Sequence, residues 1–208
     1  MKLISAAALA LFAAAPAFAS TPFLVDFEKN WDYANGDVNA YYSGGTAADG
    51  SSGADIGVSF VGVSGLSNDS NFSYYSGAPS ALGTAYAHTA DPADKALMNV
   101  SGGVNGWLSF YYSSPTAAAG AVKAYSGLNG TGTLLGSIDL TANNGGAYDV
   151  WTQKNFYFSG TALSFDLTGS ANAVALDNIS AVPEPTTTAL MLAGVGVVAL
   201  SIFRRRER

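Results

Sequence analysis

Short apolar runs alternate with clusters of Gly, Ser, Asn and Asp through the middle of the chain. Such runs, rich in Val, Ile, Tyr, Phe and Trp, are typical of β-strands bounded by turns. The pattern predicts eight strands, at residues 23–27, 56–63, 106–113, 121–125, 134–140, 150–158, 163–168 and 173–179, with 96–100 as a further candidate. Only residues 79–90 have a weak helical pattern. The chain is therefore predicted to form an all-β domain of two packed antiparallel sheets.

Two polar segments are predicted to connect strands. Residues 126–132 join two of the apolar runs and contain Asn129-Gly130, a dipeptide that favours a tight hairpin turn. The stretch at 43–54, rich in Gly, Ser and Asp, is predicted to be a long surface loop.

The C-terminal end has the pattern of a membrane segment. Residues 186–203 carry no charge, and as a helix they would span about 27 Å, close to the hydrocarbon core of a bilayer. The basic tail at 204–208 follows and begins with Arg204, Arg205 and Arg206. A positive cluster beside a span stays in the cytoplasm, so the pattern predicts a transmembrane helix with a cytoplasmic C-terminus.

The first residues have the composition of a secretory signal. Met1-Lys2 is followed by an apolar stretch too short to cross a bilayer and then by Ala17-Phe18-Ala19. This pattern predicts a signal peptide at residues 1–19, with an uncleaved N-terminal anchor as the alternative. Export would then deliver the sandwich domain predicted at residues 20–181 to the periplasm, the cell surface or the extracellular space.

Between the predicted sandwich and the predicted helix lies Val182-Pro183-Glu184-Pro185. This motif, the apolar helix and the arginine cluster together resemble the PEP-CTERM sorting signal of Gram-negative bacteria, which would occupy residues 182–208. The resemblance implies that Pro183, Glu184 and Pro185 are recognised by an exosortase, a membrane cysteine protease-transpeptidase that cuts near the motif. It also implies a bacterium that makes exopolysaccharide and biofilm matrix. The two prolines keep the segment extended, which leaves its peptide bonds accessible.

The predicted domain at 20–181 is acidic. It carries thirteen carboxylates against four lysines, a net charge of −9, whereas the whole chain has a net charge of −6. A nucleic-acid or polyanion binder requires the opposite sign, so no nucleic-acid partner is predicted. The charge favours neutral glycans, divalent cations or solubility alone. Cysteine is absent, so disulfide bonds do not stabilise the domain.

Acidic residues stand at both ends of the predicted sandwich. Val25-Asp26-Phe27-Glu28 opens it, and Ala175-Leu176-Asp177-Asn178-Ile179 closes it. This pairing resembles the jelly-roll sandwiches of carbohydrate-binding modules and galactose-binding-like domains, in which the first and last strands lie together. The resemblance implies a structural calcium ion held by Glu28, Asp177 and Asp26, since calcium prefers carboxylate and carbonyl oxygens. The alternative makes Asp26 and Glu28 surface or turn residues and lets Asp177 cap a loop through backbone hydrogen bonds.

Adjacent tyrosines occur among Gly and Ser loops, at Tyr41 and Tyr42 and at Tyr74 and Tyr75. An exposed tyrosine ring stacks on the partly apolar face of a sugar, which makes these four residues candidates for glycan binding. Sheet packing and loop anchoring are the alternative role for the same rings.

The sequence offers little catalytic machinery. His88 is the only histidine, and no nucleophile elbow, zinc-binding motif or phosphate-binding loop is present. Glycoside hydrolysis requires two paired carboxylates, and no pair stands out. The sequence therefore predicts a non-catalytic surface or matrix protein that an exosortase sorts and that associates with exopolysaccharide. The alternatives are a structural adhesion protein without a specific ligand and a secreted carbohydrate-active enzyme.

Overall fold

The computed structural model describes residues 22–67, 75–91 and 93–181. The predicted signal peptide at 1–19 and the predicted sorting signal at 182–208 lie outside these residues, and so does Tyr74. In the part of the chain that is described, no helix is long and apolar enough to cross a membrane.

The described residues form nine β-strands, all paired antiparallel, which confirms the predicted all-β sandwich. The strands are β1 (Phe23–Val25), β2 (Val58–Val61), β3 (Val63–Ser67), β4 (Gly83–Ala87), β5 (Leu97–Ser113), β6 (Ala118–Tyr125), β7 (Leu134–Leu140), β8 (Thr152–Asp166) and β9 (Ala175–Ala181). Single 3-10 turns occur at Leu128–Gly130 and Thr168–Ser170.

All nine strands belong to one continuous hydrogen-bonded network, and two long strands, β5 and β8, pair with each other and link its two halves, which we call the first and the second sheet. In the first sheet, the N-terminal part of β5 pairs with β2, and the C-terminal part of β8 pairs with β6, which pairs with β7. In the second sheet, the C-terminal part of β5 pairs with β9. The other edge of β9 carries β1 and β4, and β4 pairs with β3.

Glycines allow β5 and β8 to pass from one sheet to the other. The register between the two strands shifts twice near the middle of β5. Gly103 and Gly106 in β5 and Gly160 in β8 have φ angles of 69°, 78° and 81°, in the left-handed region. Glycine adopts these angles at low cost, so bulges form here and both strands bend.

Side chains from both sheets form one apolar core. Its largest fully buried members are mainly aromatic, and they include Tyr112, Phe27, Phe110, Phe156 and Phe165. Trp31 is also buried, and its indole N–H donates to the carbonyl of Phe27 at 2.9 Å. Each such side chain contributes about 1.5–3 kcal/mol when it leaves water, so packing supplies the stability that disulfides would otherwise add.

The apolar pattern located most strands but not the way they join. The predicted strand at 134–140 has the observed bounds. The segments predicted at 96–100 and 106–113 form one continuous strand, β5, and those predicted at 150–158 and 163–168 form β8. Bulges interrupt the apolar alternation within each strand without ending it. The single strand predicted at 56–63 was wrong. Gly62, with φ of 61°, divides it into β2 and β3, which belong to different sheets.

One strand was missed. Residues 83–87 form β4, although residues 79–90 had suggested only a weak helix. Gly83, Thr84 and Ala85 are small and all buried, so they lack the alternation that indicates a strand. The predicted connections are confirmed, since 43–54 contains no strand and 126–132 joins β6 to β7. Asn129 there adopts a φ of 57°.

Candidate functional site

The first and last strands meet at a group of polar residues that we call the strand junction: Asp26, Glu28, Ser80 and Asp177. The Asp177 side chain is fully buried, and its two oxygens accept hydrogen bonds from the backbone N–H groups of Ser80 and Asn178, each at 2.7 Å. The Ser80 hydroxyl donates to the backbone carbonyl of Asp26 at 2.6 Å. One loop residue therefore bridges β9 and Asp26, the residue that follows β1.

The other two carboxylates of the strand junction also bind backbone amides. Both oxygens of Glu28 accept hydrogen bonds from the N–H of Leu82, at 3.1 and 3.2 Å. Asp26 Oδ1 accepts from the N–H of Glu28 at 3.2 Å and from the hydroxyl of Tyr42 at 3.3 Å. These are the bonds by which acidic side chains anchor loops.

Burial dominates the electrostatics of Asp177. Loss of contact with water raises the pKa of its carboxyl to about 6. Hydrogen bonds from Ser80 and Asn178 act in the opposite direction, and the negative charge of Glu28 adds to the rise. The last strand thus carries a carboxyl whose charge is costly at neutral pH.

The calcium ligands implied by the resemblance do not form a set of converging side chains. Within residues 22–67, 75–91 and 93–181, no three Asp, Glu, His or Cys side chains group closely enough to hold a metal ion. The oxygens of Asp177 and Glu28 face backbone N–H donors, whose partial positive charge is a poor neighbour for a cation. The geometry favours the loop-capping interpretation, and calcium binding at Asp26, Glu28 and Asp177 stays a prediction.

Tyr41 and Tyr42 both lie against other aromatic rings. Tyr42 is 6 % exposed, and its ring lies edge-on to Phe27 and Phe60, with centroids 6.1 and 6.5 Å away. Tyr41 lies against Trp31 and Tyr42, at centroid distances of 5.3 and 4.8 Å. The glycan-stacking role predicted for Tyr42 is corrected to a core role, because no face of its ring is open. Tyr41 is half-buried, and glycan stacking at this residue stays a prediction.

Tyr75 lines an open depression that we call the tyrosine cleft. Its volume is about 340 Å³, and its lining residues are Tyr33, Leu66, Tyr75, Tyr86, Tyr148, Asn172, Ala173, Val174 and Ala175. Leu66, Tyr86 and Ala175 belong to β3, β4 and β9, so three neighbouring strands of the second sheet contribute to the cleft. Sites built on strands hold their geometry better than sites built on loops alone.

The tyrosine cleft is aromatic but uncharged. Tyr33 is 75 % exposed, whereas the rings of Tyr75 and Tyr148 lie against each other with centroids 5.6 Å apart. Burial raises the pKa of Tyr75 to about 12, and it also raises the pKa of Tyr86 and Tyr148. These hydroxyls therefore remain protonated and neutral in the physiological range.

Tyr148 is held in an unusual backbone conformation. Its φ is 51°, in the left-handed region that bulky residues rarely adopt. Its hydroxyl donates to the carbonyl of Ala173 at 3.0 Å, and the indole N–H of Trp151 donates to its own carbonyl at 3.1 Å. Such a conformation costs about 1–3 kcal/mol and persists only where surrounding contacts enforce it. These contacts fix the ring beside the cleft.

A polar cluster adjoins the cleft at Tyr86. Tyr86 lies opposite Ser64 in the β3–β4 pair, and its ring centroid lies 5.7 Å from that of His88. Asp37 Oδ1 accepts a hydrogen bond from the Ser64 hydroxyl and contacts His88 Nε2 at 3.0 Å. In an activated serine site the histidine bonds to the serine, but here Asp37 lies between them. This arrangement does not activate Ser64 as a nucleophile.

Sequence reasoning selected Tyr75 and missed the three tyrosines that share its cleft. Tyr33, Tyr86 and Tyr148 are far apart in the chain, and the pairing of β3, β4 and β9 brings their surroundings together. One signal was available for Tyr148, because it is a large aromatic residue directly after the small, polar stretch at 142–147.

Comparisons with known proteins bear on the two parts of the chain separately. Residues 181–206 match the PEP-CTERM protein-sorting motif. This match confirms the predicted sorting signal and implies an exported protein that an exosortase processes, with a membrane-anchored signal at its C-terminus. A comparison with curated proteins found no match. Among solved structures, the chain is similar to the cleaved adhesin domain of Lys-gingipain from Porphyromonas gingivalis W83. The sequence identity is 15 %, the TM-score is 0.46, and the match covers 79 % of this chain and 99 % of that one.

Proposed function

We propose that this protein is a non-catalytic cell-surface or extracellular-matrix protein, cleaved by an exosortase near Pro183, Glu184 and Pro185, whose folded domain associates with exopolysaccharide. One observation carries the proposal: the sorting motif begins where the sandwich ends. β9 finishes at Ala181, and residues 181–206 match the sorting motif. Cleavage near residues 183–185 would therefore leave all nine described strands on the mature protein.

The absence of catalysis is supported by the arrangement of the candidate groups. His88 is the only histidine of the chain, and its ring contacts Asp37 rather than a hydroxyl nucleophile. The carboxylates of the strand junction bind backbone amides. A glycosidase would instead hold two carboxylates opposite each other across an open groove.

Association with a neutral polysaccharide is supported by charge and by surface chemistry. The domain at 20–181 has a net charge of −9, which repels acidic polymers. The tyrosine cleft combines one exposed aromatic ring, that of Tyr33, with phenolic hydroxyls and apolar surface. Retention in the matrix, rather than turnover of its polymers, is the role that these features support.

Intact-mass analysis tests the sorting part of the proposal. The full chain is expressed in two otherwise identical bacterial hosts, one with an exosortase and one without it. We expect a mature C-terminus near residues 183–185 only in the first host. Glu184→Gln should prevent this cleavage, and Glu207→Gln, a matched change in the basic tail, should leave it intact. A chain that ends at Arg208 in both hosts would refute sorting by cleavage.

Fractionation tests the association part. Biofilms are separated into cells, matrix and medium, and the mature protein is quantified in each fraction. We expect it in the matrix, with release into the medium when the exopolysaccharide is digested enzymatically. Retention that survives digestion would instead support the structural adhesion protein without a specific ligand. Turnover of the polysaccharide by the purified full chain would support the enzyme alternative.

A further inference from the structure

We propose that the tyrosine cleft binds a neutral sugar ring, which stacks on Tyr33 and is hydrogen-bonded by the phenolic hydroxyls and by Asn172. This inference rests on the proposed function, because it names the ligand class of the same exported domain. It extends the glycan-binding prediction for Tyr75 to a cleft whose other residues were not apparent from the sequence.

The lining of the cleft selects an uncharged ligand. None of its nine residues is acidic or basic. Outside the lining, Asp37 and His88 lie near Tyr86 and contact each other, and Asp32 and Asp149 are the chain neighbours of Tyr33 and Tyr148. A bound carboxylate or phosphate would therefore lie next to an acidic side chain and against a domain with a net charge of −9. A cation would find no carboxylate in the lining itself.

The exposed ring supplies the contact surface. Tyr33 lines the cleft and is 75 % exposed, and the rings of Tyr75 and Tyr148 lie against each other with centroids 5.6 Å apart. A pyranose has an apolar face of C–H groups and a polar rim of hydroxyls. A tyrosine has the same division between ring and hydroxyl, so the two surfaces are complementary.

The hydroxyls and one amide supply the polar contacts. Tyr148 donates its O–H to Ala173 and retains oxygen lone pairs as acceptors. Asn172 has a φ of 61°, and its amide donates to the carbonyl of Thr89 at 3.2 Å, which fixes the side chain beside the cleft. Preorganised groups of this kind lose little entropy on binding.

The volume limits the size of the ligand. Ligand pockets commonly enclose about 300–1,000 Å³, and the cleft of about 340 Å³ lies at the lower end of this range. One or two sugar rings of a polymer would occupy it while the rest of the polymer remains in solvent. Such a site binds weakly as a single copy and becomes effective when many copies meet one polymer.

Affinity electrophoresis of the full chain tests this assignment. Native gels contain dextran, a β-1,3-glucan or a galactomannan as neutral probes, and alginate as the anionic probe. The detergent is an amine oxide, because a glycoside detergent would compete for the cleft. We expect at least one neutral polysaccharide to retard the protein and alginate to have no effect. Tyr33→Ala should weaken the retardation roughly tenfold, and Tyr33→Phe should keep most of it, since stacking is preserved.

Tyr157→Ala is the matched control, because Tyr157 is a 67 % exposed tyrosine on β8 that does not line the cleft. It should bind like the unmodified chain. A measurement without substitution is nitration of tyrosines by tetranitromethane, in which the bound polysaccharide should protect Tyr33 and not Tyr157. Equal retardation of Tyr33→Ala and the unmodified chain would overturn the site while leaving matrix association intact. Retardation by alginate alone, or by none of the probes, would overturn the proposal that the ligand is a neutral sugar. Cleavage by the exosortase is tested separately, by intact-mass analysis.

Discussion

The carboxylate of Asp177 on β9 accepts a hydrogen bond of 2.7 Å from the backbone N–H of Ser80, a residue 97 positions earlier in the chain. The hydroxyl of Ser80 in turn donates to the carbonyl of Asp26 at the end of β1. Ser80 thereby adds a side-chain link between the end of the first strand and the last strand, which already pair through their backbones. The Asp177 carboxylate is buried, and the free-energy cost of ionising it there should make the stability of the fold depend on pH.

Stability should depend on the protonation of Asp177. Burial raises the pKa of this group from 3.8 to about 6, so the folded protein binds the proton more tightly than the unfolded chain does. The favourable effect is fully present below pH 4 and is lost as the pH rises through 6. In a buffer with a chelator, we expect the free energy of unfolding to fall by about 2–3 kcal/mol from this group between pH 4 and pH 7. Urea unfolding at stepped pH measures it.

Two variants separate Asp177 from the other carboxyls. Asp177→Asn should remove the decrease between pH 4 and pH 6, whatever it does to the absolute stability. Asp139→Asn changes a carboxylate that is exposed and accepts the N–H of Gly120, so it should retain the decrease. An unchanged pH profile in Asp177→Asn would show that another group is responsible.

If calcium binds at Asp26, Glu28 and Asp177, it should favour the ionised form of Asp177, whereas burial alone favours the protonated form. A bound cation stabilises the ionised carboxylate, so calcium should raise the melting temperature at pH 7 and flatten the pH profile. Glu28→Gln should abolish the response, whereas Glu207→Gln in the basic tail should keep it. Melting curves with a chelator and with millimolar calcium decide the matter. Identical curves would establish the strand junction as a set of loop caps only.

The sequence predicted the class of fold because apolar alternation reports burial on a pleated strand. It could not predict that β5 runs unbroken from Leu97 to Ser113. A glycine in the sequence indicates a turn that ends a strand and a bulge within a strand equally well. Asp177 and Glu28 were found because they stand beside the outermost strands. Ser80 was not found, because its role comes from its hydroxyl and backbone N–H rather than from any pattern. The tyrosine cleft depends on long-range strand pairing, which periodicity does not encode.

The ion pair between Lys29 and Asp49 should stabilise the protein only above the acidic range. The hydrogen bond from Lys29, together with those from Ser51, lowers the pKa of Asp49 to about 2. Its stabilising effect is therefore present above pH 4 and is lost as the pH falls toward 2. Because water screens the pair, Asp49→Asn should cost at most about 1 kcal/mol at pH 7. The difference from the unmodified chain should shrink in 1 M salt, by analogy with other exposed pairs. A cost that is equal at pH 7 and pH 2 would contradict this account.

Gly65 on β3 should not tolerate a methyl group. A Cβ added there would overlap the indole ring of Trp31, which is buried. Neither β3 nor the ring can move without disturbing the core, so we expect Gly65→Ala to cost about 1–3 kcal/mol in the free energy of unfolding. Gly145→Ala is the control, because a Cβ there meets nothing within 4 Å, and its effect should stay within about 0.5 kcal/mol. Urea unfolding compares the two, and in a Trp31→Leu background the cost of Gly65→Ala should fall, because the clashing ring is gone. An unchanged cost in that background would refute the proposed contact.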